Sequence, residues 1–340
     1  SILQVFPTYL TSNQSETKKY ISSNLAANSR LGNHLFELSS LLGIARKLKR
    51  KPTFFIASND HNQMLKDTDF VSPGLIDQFL IVNQTVPESI IPTEFGRKCC
   101  MFEDPDKLKG ITDEYLHLAG HHYQSWKYFG RMRNRLISYL KEPTNNFTEL
   151  PKPDETTFIT CVHIRRTDFL GTGMHVPEQD FIMNSIKYME TEERKKKEVN
   201  MTTVFMGDDF GFMEGLANET LLWREEKYKT VSFISQNSPS DDILYASRNC
   251  DVVLITCMFS QNSYKITHQF PAPHSTFGWW MGFLSKGNQV YYNDIKFTND
   301  LSIPSGKFDP NDYYPPNWIP IKYENYDNVY LHSATYCVSF

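Results

Sequence analysis

Three apolar runs of strand length, each breaking off into polar or charged residues, constrain this chain most. Phe158-Ile159-Thr160-Cys161-Val162-His163-Ile164 runs into Arg165-Arg166-Thr167-Asp168. Thr203-Val204-Phe205-Met206 runs into Gly207-Asp208-Asp209, and Val252-Val253-Leu254-Ile255 runs into Thr256. Runs without polar alternation suit strands covered on both faces. Between them, Phe181 to Met189 and Asp242 to Ser247 carry apolar residues at helical spacing. Strand and helix in alternation predict an α/β fold on a parallel sheet. In such a sheet the ligand crevice lies beyond the carboxyl ends of the strands, which is where the polar clusters fall.

The first half reads as a second unit of the same kind. A short strand from Lys19 leads to Ser29-Arg30-Leu31-Gly32-Asn33. Leu31, Leu35, Leu38, Leu42, Ala45 and Leu48 then recur at spacings of three and four, a helix. Its basic end, Arg46, Lys47, Lys49, Arg50 and Lys51, suits the helix dipole and reads as a solvated terminus. Pro52 stops it, and Thr53 to Ala57 form a buried-type strand. Further on, Tyr115 to Leu118 predict a strand, and Trp126 opens a helix expected to reach Leu140. Glu142-Pro143-Thr144-Asn145-Asn146 and Pro151-Lys152-Pro153 then break the pattern. They predict two domains, 1–150 and 151–340. The mixed-sign run Glu192 to Glu198 reads as an exposed helix end or loop.

Composition narrows the function classes. With 35 Lys and Arg against 39 Asp and Glu, bulk charge cannot hold nucleic acid, so phosphate binding must come from a local site. Six cysteines in 340 residues are too few for a disulfide scaffold. Neither they nor His121-His122 show the spacing of a zinc site, and no metal is expected. No run approaches the roughly 18 apolar residues of a membrane span. The chain opens at Ser1 without a methionine, read as a trimmed end that has lost any targeting or anchoring segment. Sequons stand at Asn13, Asn83, Asn146, Asn200 and Asn218, against about three expected by chance, a mild pointer to a secretory compartment.

The sharpest constellation is His163-x-Arg165-Arg166-x-Asp168, which average usage produces on the order of 10⁻³ times per chain. Two arginines at a sheet mouth suit an anion, because each presents a rigid fork matched to phosphate oxygens. The competing reading is a structural ion pair, with Asp168 bracing an arginine. Gly207-Asp208-Asp209 offers paired carboxylates for a ribose or base donor, a metal or a general base, or an aspartate that simply caps a helix. In Ser275-Thr276-Phe277-Gly278-Trp279-Trp280, hydroxyls and amides at a helix N-terminus suit phosphate, while the aromatic residues suit the core. Gly32 and Asn33 form an anion-binding shape or a plain turn.

In this order these residues resemble the galactoside 2-α-L-fucosyltransferase family. The likeness spans Arg30-Leu31-Gly32-Asn33-His34-Leu35-Phe36, Gln124-Ser125-Trp126-Lys127-Tyr128-Phe129, His163 to Asp168, Val204 to Asp209 and Ser275 to Trp280. The HxRRxD motif is shared with α1,6- and protein O-fucosyltransferases; the flanking RLGN and STFGWW narrow the resemblance. It implies a GT-B-like α/β fold, two Rossmann-like domains with parallel sheets facing across a cleft, the first on the acceptor side and the second binding the donor. It implies GDP-β-L-fucose as donor, a galactose-terminated glycan as acceptor, inversion at the anomeric carbon and no metal. It also implies a type II Golgi membrane protein with a lumenal catalytic domain and an anchor outside this chain. By the same resemblance Arg165 contacts the diphosphate, while His163, Arg166 and Asp168 shape the loop. Asp208 and Asp209 lie near the nucleoside or fucose, and Ser275, Thr276, Phe277 and Gly278 close over the phosphates. Asp168, Glu178, Asp180 and Asp208 are the candidates for the base that helps the acceptor hydroxyl.

One stretch departs from the family pattern. Cys257 to His274 separate the strand Val252 to Ile255 from the Ser275 motif, and Pro271 and Pro273 forbid regular structure near their end. A surface excursion is expected. The alternatives are a transferase of other linkage, acting on core N-glycan or protein, or a non-catalytic glycan- or nucleotide-binding relative.

Overall fold

The computed structural model describes residues 18–98, 100–143, 147, 150–167, 174–175, 178–223, 230–256, 258–259, 275–294, 305–325 and 328–331. The chain divides into two compact units, Ser1–Glu142 with Ser305–Pro315, and Pro143–Pro304 with Pro316–Phe340. Each is an α/β unit on a sheet whose strands are mostly parallel.

The first unit runs β1 (Tyr20–Ser23), α1 (Leu31–Lys47), β2 (Lys51–Phe55), α2 (Asn59–Val71), α3 (Pro73–Ile76), β3 (Leu80–Val82), β4 (Tyr115–Leu118) and α4 (Arg133–Ser138). The strand order is β3-β2-β1-β4, parallel throughout. Helix α1 is buried all round from His34 to Ala45, with Leu35, Leu38, Leu41, Leu42 and Ala45 at the predicted spacing and Glu37, Ser39 and Ser40 buried beside them. At its basic end Arg46, Lys47, Lys49 and Lys51 are exposed as expected, and Arg50 alone of the five is buried. Arg50 is 7% exposed and donates to the carbonyls of Tyr20, Ile111, Asp113 and Glu114. A fork with five donors can tie together four carbonyls, one at the start of β1 and three in the segment leading into β4. The helix expected from Trp126 breaks into two 3₁₀ turns, Trp126–Tyr128 and Gly130–Met132, before α4. Phe129, at φ −138°, interrupts it. The Trp126 indole N–H is bonded to the carbonyl of Asn311, in the segment 305–315 that joins this unit.

The second unit runs β5 (Thr157–Ile164), β6 (Met174–His175), α5 (Gln179–Arg194), β7 (Asn200–Gly207), α6 (Phe210–Leu221), β8 (Thr230–Ile234), α7 (Pro239–Asn249), β9 (Val252–Ile255), β10 (Met258–Phe259), α8 (Thr276–Leu284) and β11 (Gln289–Asn293). After α9 (Pro310–Tyr313), part of the first unit, come β12 (Ile319–Asn325) and β13 (Asn328–Leu331). The main sheet has the order β13-β12-β11-β9-β5-β7-β8, parallel except for β13. Val162, Ile164, Phe205 and Leu254 from the sheet share one core with Phe181, Ile186, Met213 and Leu216 from α5 and α6. Past Arg194 the mixed-charge run forms local ion pairs, Lys195 with Glu192 and Lys196 with Glu193.

A disulfide joins Cys161 on β5 to Cys250 ahead of β9, with both residues fully buried. The cysteine count alone named no pairing. The bridge closes 89 residues of chain and so removes much loop freedom from the unfolded state. The double substitution Cys161→Ala, Cys250→Ala is expected to lower unfolding stability by about 2–5 kcal/mol. Denaturant melts with and without reductant check this: reductant should destabilise the native chain by more than it destabilises the variant, since Cys100 is disulfide-bonded in both.

Candidate active site

The strand order of the second unit creates a switch point. From β5 the chain steps to one side through β7 and β8, then crosses back to lay β9 on the other side of β5. The crevice expected of such a sheet opens at the carboxyl ends of β5 and β9. His163 and Arg165 stand at the first of these ends, Thr256 at the second. The Thr256 hydroxyl donates to the carbonyl of His163 at 2.6 Å, tying the two ends together.

Helix α8 begins at the same edge. Ser275 caps it, its Oγ accepting from the Gly278 amide at 3.4 Å, and the same oxygen lies 3.4 Å from His163 Nε2. Phe277 is tilted against the imidazole, with ring centroids 5.6 Å apart. A Cβ on Gly278 would stand 2.7 Å from His163 Nδ1, so glycine is what lets the helix settle on the ring. Burial, with the charge of Arg165 adding to it, pushes the His163 pKa down to about 3. The ring is therefore a neutral strut under the helix N-terminus and carries no proton to give at neutral pH. Trp279 and Trp280 are core residues, 0% and 1% exposed, and Trp279 stacks on Phe283.

Arg165 follows, half-buried, where β5 ends. Arg166 is drawn sideways onto α6: its Nε lies 3.1 Å from Asp209 Oδ2, and its guanidinium sits 3.8 Å above the Phe212 ring. Asp209 also caps α6 by accepting from the Phe212 amide. Asp208 accepts from the Arg166 amide at 2.7 Å and from the Thr167 hydroxyl at 2.8 Å. The two carboxylates thus pin the loop that follows β5, and Arg165 is the one of the arginine pair not drawn onto Asp209. Asp168 lies outside the described residues. Glu178 and Asp180, at the start of α5, are exposed.

Of the departing stretch, Cys257 and 260–274 lie outside the described residues. Its Met258–Phe259 forms β10, which pairs antiparallel with β6, Met174–His175. The start of the stretch is thus attached to the loop that carries the arginines, in a ribbon separate from the main sheet.

Sequence reasoning missed Asp242. It lies in the first turn of α7 beyond β8, 6% exposed, and accepts from the Ser235 hydroxyl at 2.5 Å. Burial raises its pKa to about 7. The available signal was Ser238-Pro239 followed by acids, a helix start placing carboxylates at the same sheet edge.

In the first unit, Gly32 and Asn33 lie in the first turn of α1. Asn33 Oδ1 accepts from Gln124 Nε2 at 2.9 Å, so the RLGN and QSWKYF segments meet beyond the carboxyl ends of β1 and β4. Below them Glu37 is fully buried, accepts from the amides of Ala26 and His122, and has its pKa raised to about 7 by burial. His122 and Tyr123 hold φ of 68° and 43°, the left-handed region that non-glycine residues enter only when bonds hold them there. Those bonds are Glu37 to the His122 amide and the Ser40 hydroxyl to the Tyr123 carbonyl.

The chain is similar to known proteins along most of its length. The model of glycosyl transferase family 11 matches residues 2–322. A Caenorhabditis elegans protein provisionally named galactoside 2-alpha-L-fucosyltransferase svh-11 is 43% identical over 307 residues, covering 90% of this chain and 80% of its own. A galactoside 2-alpha-L-fucosyltransferase of the same organism is 31% identical over 324 residues, covering 86% of this chain and 74% of its own. Among solved structures, a Thermobaculum terrenum O-GlcNAc transferase mutant covers 83% of this chain and 57% of its own, at 10% identity and a TM-score of 0.28. With the family model running from the first strand to β12, through every motif that gathers at the two sheet edges, the chain belongs to glycosyl transferase family 11, a fucosyltransferase family.

Proposed function

We propose that this glycosyltransferase moves L-fucose from GDP-β-L-fucose to the 2-hydroxyl of a terminal β-galactoside, with inversion and without a metal. The observation that carries the reading is Arg165, half-buried at the switch point, two residues beyond the His163 ring on which α8 begins. Breaking the bond between fucose and GDP leaves positive charge on the sugar ring and negative charge on the departing diphosphate. A guanidinium that cannot lose its proton meets that charge with a planar fork. The amides at the start of α8, with no acid in its first turn, add their dipole to the same end. Donors fixed before the reaction lower the barrier because nothing reorganises as charge develops. The acceptor hydroxyl attacks the opposite face of the anomeric carbon, and its proton passes to a carboxylate from the set Asp168, Glu178, Asp180 and Asp208. The catalytic unit works in the Golgi lumen, a location supported by the sequons and by the buried disulfide, since such bridges form in oxidising compartments.

The test offers a panel of sugar nucleotides with a terminal β-galactoside and scores the released nucleotide and the linkage made. GDP release from GDP-fucose alone, with an α1,2 product, is expected. A different donor or linkage overturns the reading. Transfer is also expected to survive a chelator. Loss in EDTA that Mn²⁺ or Mg²⁺ restores would mean that arginine does not carry the leaving-group charge alone.

A further inference from the structure

We propose that Asn83 carries an N-linked oligosaccharide. Three sequons fall wholly on described residues, and their surroundings differ. Asn83-Gln84-Thr85 lies in the bend that leaves β3, and all three residues are exposed. β3 is the edge strand of the first sheet, so a large group at its exit meets solvent on the open side. At Asn200 the sequon threonine, Thr202, is 6% exposed within β7, which is paired on both sides by β5 and β8. At Asn218 the sequon runs along α6, and the hydroxyl of Thr220, 2% exposed, bonds to the Ala217 carbonyl and to Ser232. A sequon is read in an accessible, non-helical loop, with its hydroxyl available. In the folded chain Asn83 meets this requirement, whereas the hydroxyls at the other two are committed to the core.

The buried disulfide between Cys161 and Cys250 is the second, independent observation. It supports folding in the oxidising compartment where asparagine is glycosylated, since such bridges are rare elsewhere. The co-reactant is an oligosaccharide linked to a lipid diphosphate. Asn83 Nδ2 bonds to the anomeric carbon of the first sugar, and the bond from that carbon to the diphosphate oxygen breaks. The diphosphate leaves with the electron pair, and the amide proton passes to the transferring enzyme's base. The proposal rests on the lumenal part of the functional reading and is independent of donor and linkage.

The experiment expresses the chain behind a secretory leader in eukaryotic cells, so that entry into the lumen is not in question. Peptides are read by mass spectrometry before and after an amidase that releases N-glycans and leaves aspartate. The Asn83 peptide is expected to carry glycan and to gain the aspartate mass after release. Asn83→Gln and Thr85→Ala should each remove one glycan from the intact protein, and Thr85→Ser should keep it. A bare Asn83 in secreted chain whose Cys161–Cys250 bridge has formed overturns the proposal. So does an Asn83→Gln variant with the full native glycan count.

Discussion

Arg165→Lys is expected to turn over the donor about as slowly as Arg165→Ala, some 10²–10³ below the native chain in kcat. The expectation comes from geometry and charge together. Lysine keeps the charge but concentrates it on one ammonium, losing the rigid fork that meets two phosphate oxygens at once. The neighbours cannot stand in. Arg166 is drawn onto Asp209 and Phe212, and the buried His163 is neutral. Thermal unfolding should change far less than turnover, because Arg165 lies half-buried at the end of β5 and not in the core. The measurement is kcat and KM for GDP-fucose, with a melt of each variant. A lysine variant at near-native turnover would make Arg165 a structural or steering residue.

Gly207→Ala is the second large effect, and it acts through the backbone. A Cβ at this position would stand 1.8 Å from the carbonyl oxygen of Ile164, its partner across the β5–β7 ladder. A backbone oxygen cannot swing aside, so the strand ends must part. Overpacking of this kind costs about 1–3 kcal/mol. Function should suffer more, because Asp208 holds the loop carrying Arg165 and Arg166 through the bonds that follow Gly207. A displacement of about 1 Å at such a site can cost about 10²-fold in rate. Gly215→Ala is the matched control: it lies in the interior of α6 with nothing within 4 Å of an added Cβ, and should gain about 0.5–1 kcal/mol with unchanged activity. If Gly207→Ala melts and turns over like the native chain, the close approach of β5 and β7 has no functional weight.

Much of the second unit was legible because short, β-branched apolar runs without alternation, bounded by polar residues, suit strands buried on both faces. Val252–Ile255 became β9 at those very bounds, and Phe158 to Ile164 became β5 with one residue added. β8, β11 and β12 were not read. β8 is mostly half-exposed at the sheet edge, and β11 and β12 mix tyrosine, asparagine, proline and lysine with their apolar residues. The arginines and the paired aspartates were legible as a cluster, but their division of labour was not. The alternative of a bracing ion pair and the alternative of a helix cap were both open in the sequence. The structure makes Asp209 the cap of α6 and also pairs it with Arg166, while Asp168, the bracing carboxylate considered from the sequence, lies outside the described residues.

What the sequence determined by itself was local and periodic: which runs are buried, where helices begin, and that polar residues gather where strands end. These follow from the side-chain period of each element, which neighbours in the chain already display. What only the tertiary structure decided joins residues far apart in the chain. The Cys161–Cys250 bridge, Arg50 closing four carbonyls, and Asp312 accepting from the Phe102 amide and pairing with Lys127 are of this kind. So is the return of 305–315 to the first unit. Each depends on a polar or sulfur atom finding its partner inside a low-dielectric interior. The cost of leaving that atom unpaired selects the partner only once folding has fixed which atoms are near.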